Sequence, residues 1–267
     1  MKLAVLFLEY DPVKYENAFA RFKGYADRLR GCDIRYYLID NRKTGEGASR
    51  ISNSLYRLDG DNSGREFSGW QKGLIYLHSH LDDYDAILFG NDAFLAYGWN
   101  LLESAGQMNL NKWLCGNSAL GHIDTKGICL EAFGHDVSRW ICTNCFFLSR
   151  PMIEKIGSVV SLTDSDMDAI IRPQFPGHPK QKDYAAYFRK DCPLNDNYKQ
   201  MAVTWLTGEW HGKFEIQEAT WDLFRTKLRS LINESLLTAK ILHCGYSIES
   251  YKNYLKHRPS FFSEIFE

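Results

Sequence analysis

The sequence has 267 residues, a formal net charge of -1, 45% hydrophobic residues and 24% charged residues. This near-neutral balance excludes the global basic field that drives non-specific nucleic-acid binding, so no nucleic-acid partner is expected. No apolar run is long enough for a signal peptide or a membrane span, and we expect a cytoplasmic protein. Seven scattered cysteines are an odd number and indicate free thiols instead of a disulfide framework.

The first part of the chain alternates strand and helix patterns. Residues 3–8 form a continuous apolar run that predicts a buried strand, residues 13–30 an amphipathic helix and residues 34–39 a second strand. A long loop is expected over residues 41–64. Apolar side chains at spacings of three and four predict a helix over residues 66–81, and a strand is expected over residues 85–89.

The second part of the chain is read in the same way. Short strands are expected at residues 112–115 and 140–148, with turns and a hairpin between residues 116 and 134. Helices are predicted after Pro151, over residues 196–206 and over residues 221–242, with a proline-containing surface loop at residues 158–182. The aromatic tail, residues 251–267, is expected to dock on the body. The prediction is one α/β domain with an open, mixed, mostly parallel sheet flanked by helices.

Polar residues follow the ends of three predicted strands. Glu9, Asp40 and the triplet Gly90-Asn91-Asp92 each come directly after an apolar run. Since ligands of open α/β sheets bind at the carboxyl ends of the strands, these residues predict a ligand crevice. The alternative is that each acid simply starts a turn, but their coincidence at strand ends favours the crevice.

In order and spacing, these segments resemble the GT-A-fold glycosyltransferases, especially family 2 and the rhamnan-synthesis-type transferases of bacterial polysaccharide assembly. Residues 38–44 are similar to the strand-end Val-Asp-Asn-x-Ser-Thr segment, residues 61–64 to the Asn-x-Gly before a helix, and residues 87–92 occupy the place of the DxD motif. Residues 143–157 are similar to the acceptor-side strand and helix. Residues 194–196 resemble the Glu-Asp motif of the general base, and residues 243–247 a late His-x-Gly-x-Ser.

The resemblance implies transfer of a sugar from a nucleotide-diphosphate sugar to a glycan or lipid-linked acceptor in bacterial surface polysaccharide synthesis, with inversion. It assigns about residues 1–115 to the nucleotide-sugar half and residues 116–250 to the acceptor half. A lipid-linked acceptor would bring the protein to the inner face of the membrane. The roles implied are nucleotide-sugar binding by Glu9, Asp40, Asn62, Arg65 and Asn91, binding of Mg2+ or Mn2+ by Asp92 and His243, and general-base catalysis by Asp196.

Two positions depart from the family pattern. Gly90 stands where the first Asp of DxD is expected, and Asn195 stands where the base motif has Glu. A non-catalytic nucleotide-sugar or carbohydrate-binding protein and a nucleotidyltransferase are the alternative functions.

Several motifs also have purely structural interpretations. Asp196 would serve as a helix N-cap, and His243 as an ordinary structural histidine. Asp164-Ser165-Asp166 is a literal DxD, but it lies in the polar loop and is interpreted as a turn or cap. Cys142 and Cys145 are interpreted as packing residues of a strand.

Overall fold

The computed structural model describes residues 1–97, 106, 108–177, 184–208 and 214–255. In this part of the chain, eight strands form one mixed sheet in the order β10-β6-β9-β5-β1-β2-β4-β3. Strands β9 and β3 run antiparallel to their neighbours, whereas all other pairs are parallel. A separate hairpin pairs β7 with β8. The strands are β1 Lys2–Glu9, β2 Asp33–Thr44, β3 Ala48–Arg50, β4 Leu55–Gly60, β5 Ala86–Asn91, β6 Ser118–Thr125, β7 Glu131–Ala132, β8 His135–Asp136, β9 Arg139–Ser149 and β10 Ser247–Ser250.

Helices cover both faces of this sheet, which confirms the predicted α/β class with a mostly parallel, mixed sheet. Helices α2 and α5 and the second half of α7 pack on one face, and α1, α3 and α4 pack on the other. None of the described helices is both long and apolar enough to cross a bilayer. The helices are α1 Ala18–Ala26, α2 Glu66–Leu77, α3 Phe94–Tyr97, α4 Leu110–Leu114, α5 Arg150–Ile156, α6 Asp196–Thr207 and α7 Trp221–His243.

A further hydrophobic core lies beside the sheet. It joins α6 and the first half of α7 to the hairpin and to the chain between Leu162 and Leu194. Trp221 and Phe224 stack there with ring centroids 5.3 Å apart. The sheet and this second core together hold α7 across the carboxyl edge of the sheet, where the candidate site lies.

The prediction of a long loop over residues 41–64 is wrong. Strand β2 continues to Thr44, and β3 and β4 follow it, with β4 parallel to β2 and β3 antiparallel to β4. The β4 sequence is short and carries Arg57 and Asp59, so its strand structure depends on pairing with β2 and less on its own residues.

The prediction of a strand at residues 112–115 is also wrong, because residues 112–114 belong to helix α4 and Cys115 is its C-cap. Asn109 caps this helix through its side chain, which accepts a hydrogen bond from the Lys112 amide at 3.1 Å. The predicted helix over residues 13–30 is shorter than expected. It begins at Ala18, directly after Asn17, which has a left-handed backbone with φ 59°.

The predicted surface loop over residues 158–182 is partly buried. Val159, Met167, Ile170 and Ile171 all lie in hydrophobic cores, and residues 178–182 lie outside the described part of the chain. The literal DxD in this segment has a structural role. Asp164 accepts hydrogen bonds from Arg225 and Arg229 of α7 at 3.2 and 3.0 Å.

The predicted docking of the aromatic tail is seen for its first residues. Tyr251 and Tyr254 are buried against the sheet, and residues 256–267 lie outside the described part of the chain.

Candidate active site

A cavity of about 770 Å³ opens at the carboxyl edge of the sheet. Its size is typical of small-molecule sites. The wall is built from the ends of β1, β2, β5 and β6, the first half of β9, the start of α2, the end of α6 and one stripe of α7. The cavity therefore lies at the edge of the sheet where the crevice was predicted, with Asn91 and Asp92 on its wall.

Helix α7 faces this cavity with a single stripe of side chains, namely Lys227, Ser230, Leu231 and Glu234. Their spacing of three, four and seven residues puts them on one face of a helix. At 1.5 Å per residue, Lys227 and Glu234 lie about 10 Å apart along the helix axis. One rigid element therefore brings a cation and a carboxyl group to the same cavity at a fixed separation.

Glu234 is a carboxyl group that is held in an unusual environment. Its Oε1 accepts hydrogen bonds from the backbone N–H and the hydroxyl of Thr143, at 2.7 and 3.2 Å. Burial raises the pKa of Glu234 to about 8, and the nearby carboxylates Glu66 and Asp124 add to this, whereas the Thr143 hydrogen bonds only partly oppose it. A carboxyl with a pKa near the working pH is suited to general acid–base chemistry.

Thr143 reaches the cavity because β9 is irregular at this point. Gly121 of β6 pairs with Phe146 and Ile123 pairs with Ile141, so the four residues 142–145 of β9 lie opposite the single residue His122. Bulges of this kind bend a strand and redirect side chains, often beside active sites. Cys142, Thr143 and Asn144 all line the cavity as a result.

Four cationic side chains line the cavity. Lys126 pairs with the Asp124 carboxylate at 3.6 Å, and the other three come from separate elements. Lys14 comes from the loop after β1, Arg65 from the start of α2 and Lys227 from α7. The pKa of Lys227 is lowered, first by burial and then by the positive charges of Arg65 and Lys14. We call Lys14, Arg65 and Lys227 the cationic group.

Asp92 lies on the cavity wall but is already engaged by the backbone. Its Oδ2 accepts hydrogen bonds from the amides of Tyr10 and Asp11, at 2.8 and 2.7 Å. The pKa of Asp92 is raised, because burial outweighs the hydrogen bonds from the Asp11 and Tyr10 amides that favour the charged form. Asp92 therefore fixes the loop after β1, which carries Lys14.

Gly90 departs from the family pattern for a packing reason. A Cβ at this position would come within 2.4 Å of the Phe22 ring, which is fully buried. The Gly90 carbonyl also accepts a hydrogen bond from Trp70 Nε1 at 3.2 Å. A side chain, and hence the first Asp of DxD, does not fit here unless Phe22 moves.

Glu9 and Asp40 lie at the same edge of the sheet, but they form an ion network beside the cavity and do not line it. Asp40 is fully buried and accepts hydrogen bonds from Arg42 Nε at 2.9 Å and Arg57 Nη2 at 2.7 Å, and both arginines also approach Glu9. Burial alone would raise the pKa of Asp40, but the two arginines outweigh it and hold the pKa at about 2.

Asn62 is exposed and lies next to the cavity wall. Its Oδ1 accepts a hydrogen bond at 3.1 Å from Asn41 Nδ2, which also donates to the Arg65 carbonyl at 3.0 Å. Asn41 is buried and lines the cavity. It ties the end of β2 to the turn that carries Arg65.

The structure places Asp196 away from the cavity. Asp196 begins α6, its side chain is 89% exposed, and it pairs with Lys199 at 2.9 Å. The part of α6 that reaches the cavity is Trp205 and Leu206, about 14 Å further along the helix. The expected N-cap role is also taken by another residue, since Asn195 accepts the hydrogen bond from the Tyr198 amide.

His243 also lies off the cavity wall. It is at the C-terminal end of α7, with its ring centroid 6.5 Å from that of His135. Of the eight predicted site residues, only Arg65, Asn91 and Asp92 line the cavity.

The cysteines are free thiols as predicted, with Cys145 fully buried in the sheet and Cys142 partly buried on the cavity wall.

The predicted Mg2+ or Mn2+ site does not fit these residues. The Oδ2 of Asp92 is occupied by two amides, and His243 is not beside it. Within the described residues, no group of three or more His, Cys, Asp or Glu side chains is arranged to hold a metal ion. A divalent cation stays a prediction of the family resemblance.

Four residues that line the cavity were not predicted from the sequence, namely Lys14, Thr143, Lys227 and Glu234. A signal for the last two was present, because Lys227, Ser230 and Glu234 share one face of the predicted helix. The bulge that presents Thr143 has no comparable signal in the sequence.

No protein-family model matches the chain, and no curated protein is significantly similar to it in sequence.

Proposed function

We propose that this chain is a glycosyltransferase that moves a sugar from a nucleotide-diphosphate sugar to the hydroxyl of a glycan or lipid-linked acceptor. The observation that carries the proposal is the α7 stripe. It presents Lys227, a member of the cationic group, and the carboxyl of Glu234 to one cavity, about 10 Å apart along the helix. The cation would stabilise the anionic leaving group, and the carboxyl would accept the proton that the acceptor hydroxyl must lose.

In the proposed reaction, the acceptor oxygen attacks the anomeric carbon of the donor sugar. The bond between that carbon and the diphosphate breaks, and its electron pair leaves with the nucleoside diphosphate. The proton of the acceptor hydroxyl passes to the ionised carboxylate of Glu234, which Thr143 holds in place through two hydrogen bonds. Glu234 thus takes the general-base role that the sequence pattern suggests for Asp196.

The architecture supports a GT-A-like assignment. The cavity lies at the carboxyl edge of a mostly parallel sheet. In this sheet the antiparallel strand β9 is the neighbour of β5. This is the edge where open α/β sheets bind nucleotides. Residues from the first half of the chain (Lys14 and Arg65) and from the second half (Thr143, Lys227 and Glu234) meet there.

A donor screen tests the proposal. Purified protein is incubated with UDP-, GDP- and dTDP-sugars, and thermal stability and nucleoside-diphosphate release are measured for each. We expect one donor class to raise the melting temperature, because a ligand that binds only the folded state stabilises it. We also expect that donor to release its diphosphate when an acceptor glycan is supplied.

Two outcomes would contradict the proposal. Stabilisation by a nucleotide sugar without release, across a broad acceptor set, would indicate a binding protein. The absence of any response to all three donor classes would remove the nucleotide-sugar assignment altogether.

A further inference from the structure

We propose that Lys14, Arg65 and Lys227 form a diphosphate-binding site that neutralises the leaving group with side-chain cations and without a divalent metal. This inference rests on the proposed function and specifies how its donor is held. It adds Lys14 and Lys227 to the site, and it explains how the chain would function with Gly90 in the DxD position.

The three cations come from separate parts of the sequence, and the fold brings them to one cavity. Lys14 lies on the loop that Asp92 fixes through the Tyr10 and Asp11 amides. Lys227 lies on α7, with its Nζ 4.7 Å from the centroid of the Phe214 ring. Arg65 lies between β4 and α2, with its guanidinium carbon 5.9 Å from the centroid of the Tyr10 ring.

The backbone of Arg65 is unusual. Its φ of 55° and ψ of -132° are rarely adopted by residues other than glycine. This conformation is held from two sides, since Asn41 donates to the Arg65 carbonyl and Arg229 donates to the Ser63 carbonyl. Strained residues of this kind cluster at ligand sites, and here the strain accompanies an arginine on the cavity wall.

Arg65 also has an unsatisfied polar atom. Its Nε is buried and has no hydrogen-bond partner among the described residues. A buried donor without a partner costs free energy, and such groups are uncommon in folded proteins. A ligand that accepts a hydrogen bond from the Arg65 guanidinium would supply the missing partner.

The charges around Lys227 favour an anion between it, Arg65 and Lys14. The neighbouring charges that act on Lys227 are those of Arg65 and Lys14, and both are positive. Like charges that converge in a partly buried site repel one another, and a bound anion would convert that repulsion into attraction. A diphosphate has enough charge and enough oxygen acceptors to contact all three side chains.

One carboxylate on the cavity wall, that of Asp92, supports the cationic group. Asp92 uses one carboxylate oxygen to hold the loop of Lys14. The acid therefore supports the cationic group structurally, and the charge of the leaving group is taken up by Lys14, Arg65 and Lys227.

The test uses inorganic pyrophosphate as the probe and the full chain as the protein. Binding is measured by isothermal titration calorimetry in EDTA and again with added Mn2+. We expect binding in EDTA, a loss of about tenfold or more in affinity for Lys227→Met and Arg65→Met, as for loss of a charge-assisted contact, and no change for Lys252→Met. Lys252 is an exposed lysine outside the cavity and serves as the matched control.

Binding that appears only with Mn2+, or equal affinity in the wild type and both cavity variants, would overturn the inference. Either result is separable from failure of the proposed function. A transferase that depends on Mn2+ would still release nucleoside diphosphate in the donor screen. A protein that binds pyrophosphate through the cationic group but turns over no donor would retain the anion site and lose the transferase assignment. Circular dichroism of each variant identifies a substitution that fails to fold, and Lys227→Gln then replaces Lys227→Met.

Discussion

At the level of single residues, Glu234 makes a distinctive contribution to stability. Its pKa is raised to about 8 in the folded protein, whereas an ordinary glutamate has a pKa of about 4.3. Between these values the unfolded chain loses the proton and the folded chain keeps it. The free energy of unfolding therefore falls as the pH rises from about 4.3 to about 8, because the folded state binds more protons over that range.

This linkage predicts the behaviour of Glu234→Gln. The glutamine carbonyl accepts the same hydrogen bonds from Thr143 but carries no titratable proton. We expect the variant to be more stable than the wild type at pH 8 and nearly equal to it at pH 4, as measured by urea denaturation across that range. A pH dependence that is identical in the two proteins would show that Glu234 titrates normally.

The close packing around Gly90 predicts a loss of stability when a side chain is added there. In Gly90→Ala the new Cβ would meet Phe22 ring atoms at 2.4 and 2.6 Å in a fully buried site, so we expect a loss of about 1–3 kcal/mol from overpacking. Gly24→Ala is the control, since no atom lies within 4 Å of a Cβ built there, and alanine is favoured over glycine in the middle of α1. Equal stability of the two variants, measured by thermal denaturation, would contradict the packing explanation.

The residues also show what the sequence could predict of the site. Arg65, Asn91 and Asp92 reach the cavity because they follow strands or precede a helix at the carboxyl edge, where position along the chain determines position in space. Asp196 and His243 were assigned from short motif likenesses, and the packing of α6 and α7 places them elsewhere. Glu234 was not identified because the polar face that it shares with Lys227 and Ser230 can be read from the sequence, but the cavity which that face meets cannot.

At the level of elements, the loop after β1 depends on a single carboxylate. The Oδ2 of Asp92 holds the amides of Tyr10 and Asp11, and removing it leaves both donors without this partner. We expect Asp92→Ala to lose about 1–3 kcal/mol and to exchange the amides of residues 10 and 11 faster in hydrogen-exchange mass spectrometry. Asp82→Ala is the control, because the Asp82 side chain is 91% exposed in its pair with Arg150 and exposed pairs contribute little. Unchanged exchange at residues 10 and 11 would contradict this role.

The elements that the sequence predicted well are those with long, uniform patterns. The strand at residues 3–8 and the helices at residues 66–81 and 221–242 have counterparts in β1, α2 and α7, because each buries a continuous run or a full apolar stripe. The failures were short segments such as β4 and α4. Their structure depends on a neighbouring strand or on a cap, and their own residues favour neither state strongly.

At the level of the whole molecule, the sheet and the second hydrophobic core together create the cavity. The sheet contributes the strand ends, and the second core holds the first half of α7 over them. The sequence predicted the sheet and its carboxyl edge. It could not predict that α7 covers that edge, because this placement depends on packing between α6, α7 and the chain from Leu162 to Leu194.

If sugar transfer takes place in this cavity with Glu234 as the base, the two carboxylates Glu234 and Asp196 must differ in their effect on the rate. With the donor identified by the screen, kcat/KM is measured for the wild type, Glu234→Gln and Asp196→Asn between pH 6 and 9. We expect the wild-type rate to rise towards a midpoint near pH 8, Glu234→Gln to lose about 100-fold or more, and Asp196→Asn to stay close to the wild type. Full activity of Glu234→Gln, or a large loss in Asp196→Asn alone, would contradict a general-base role for Glu234.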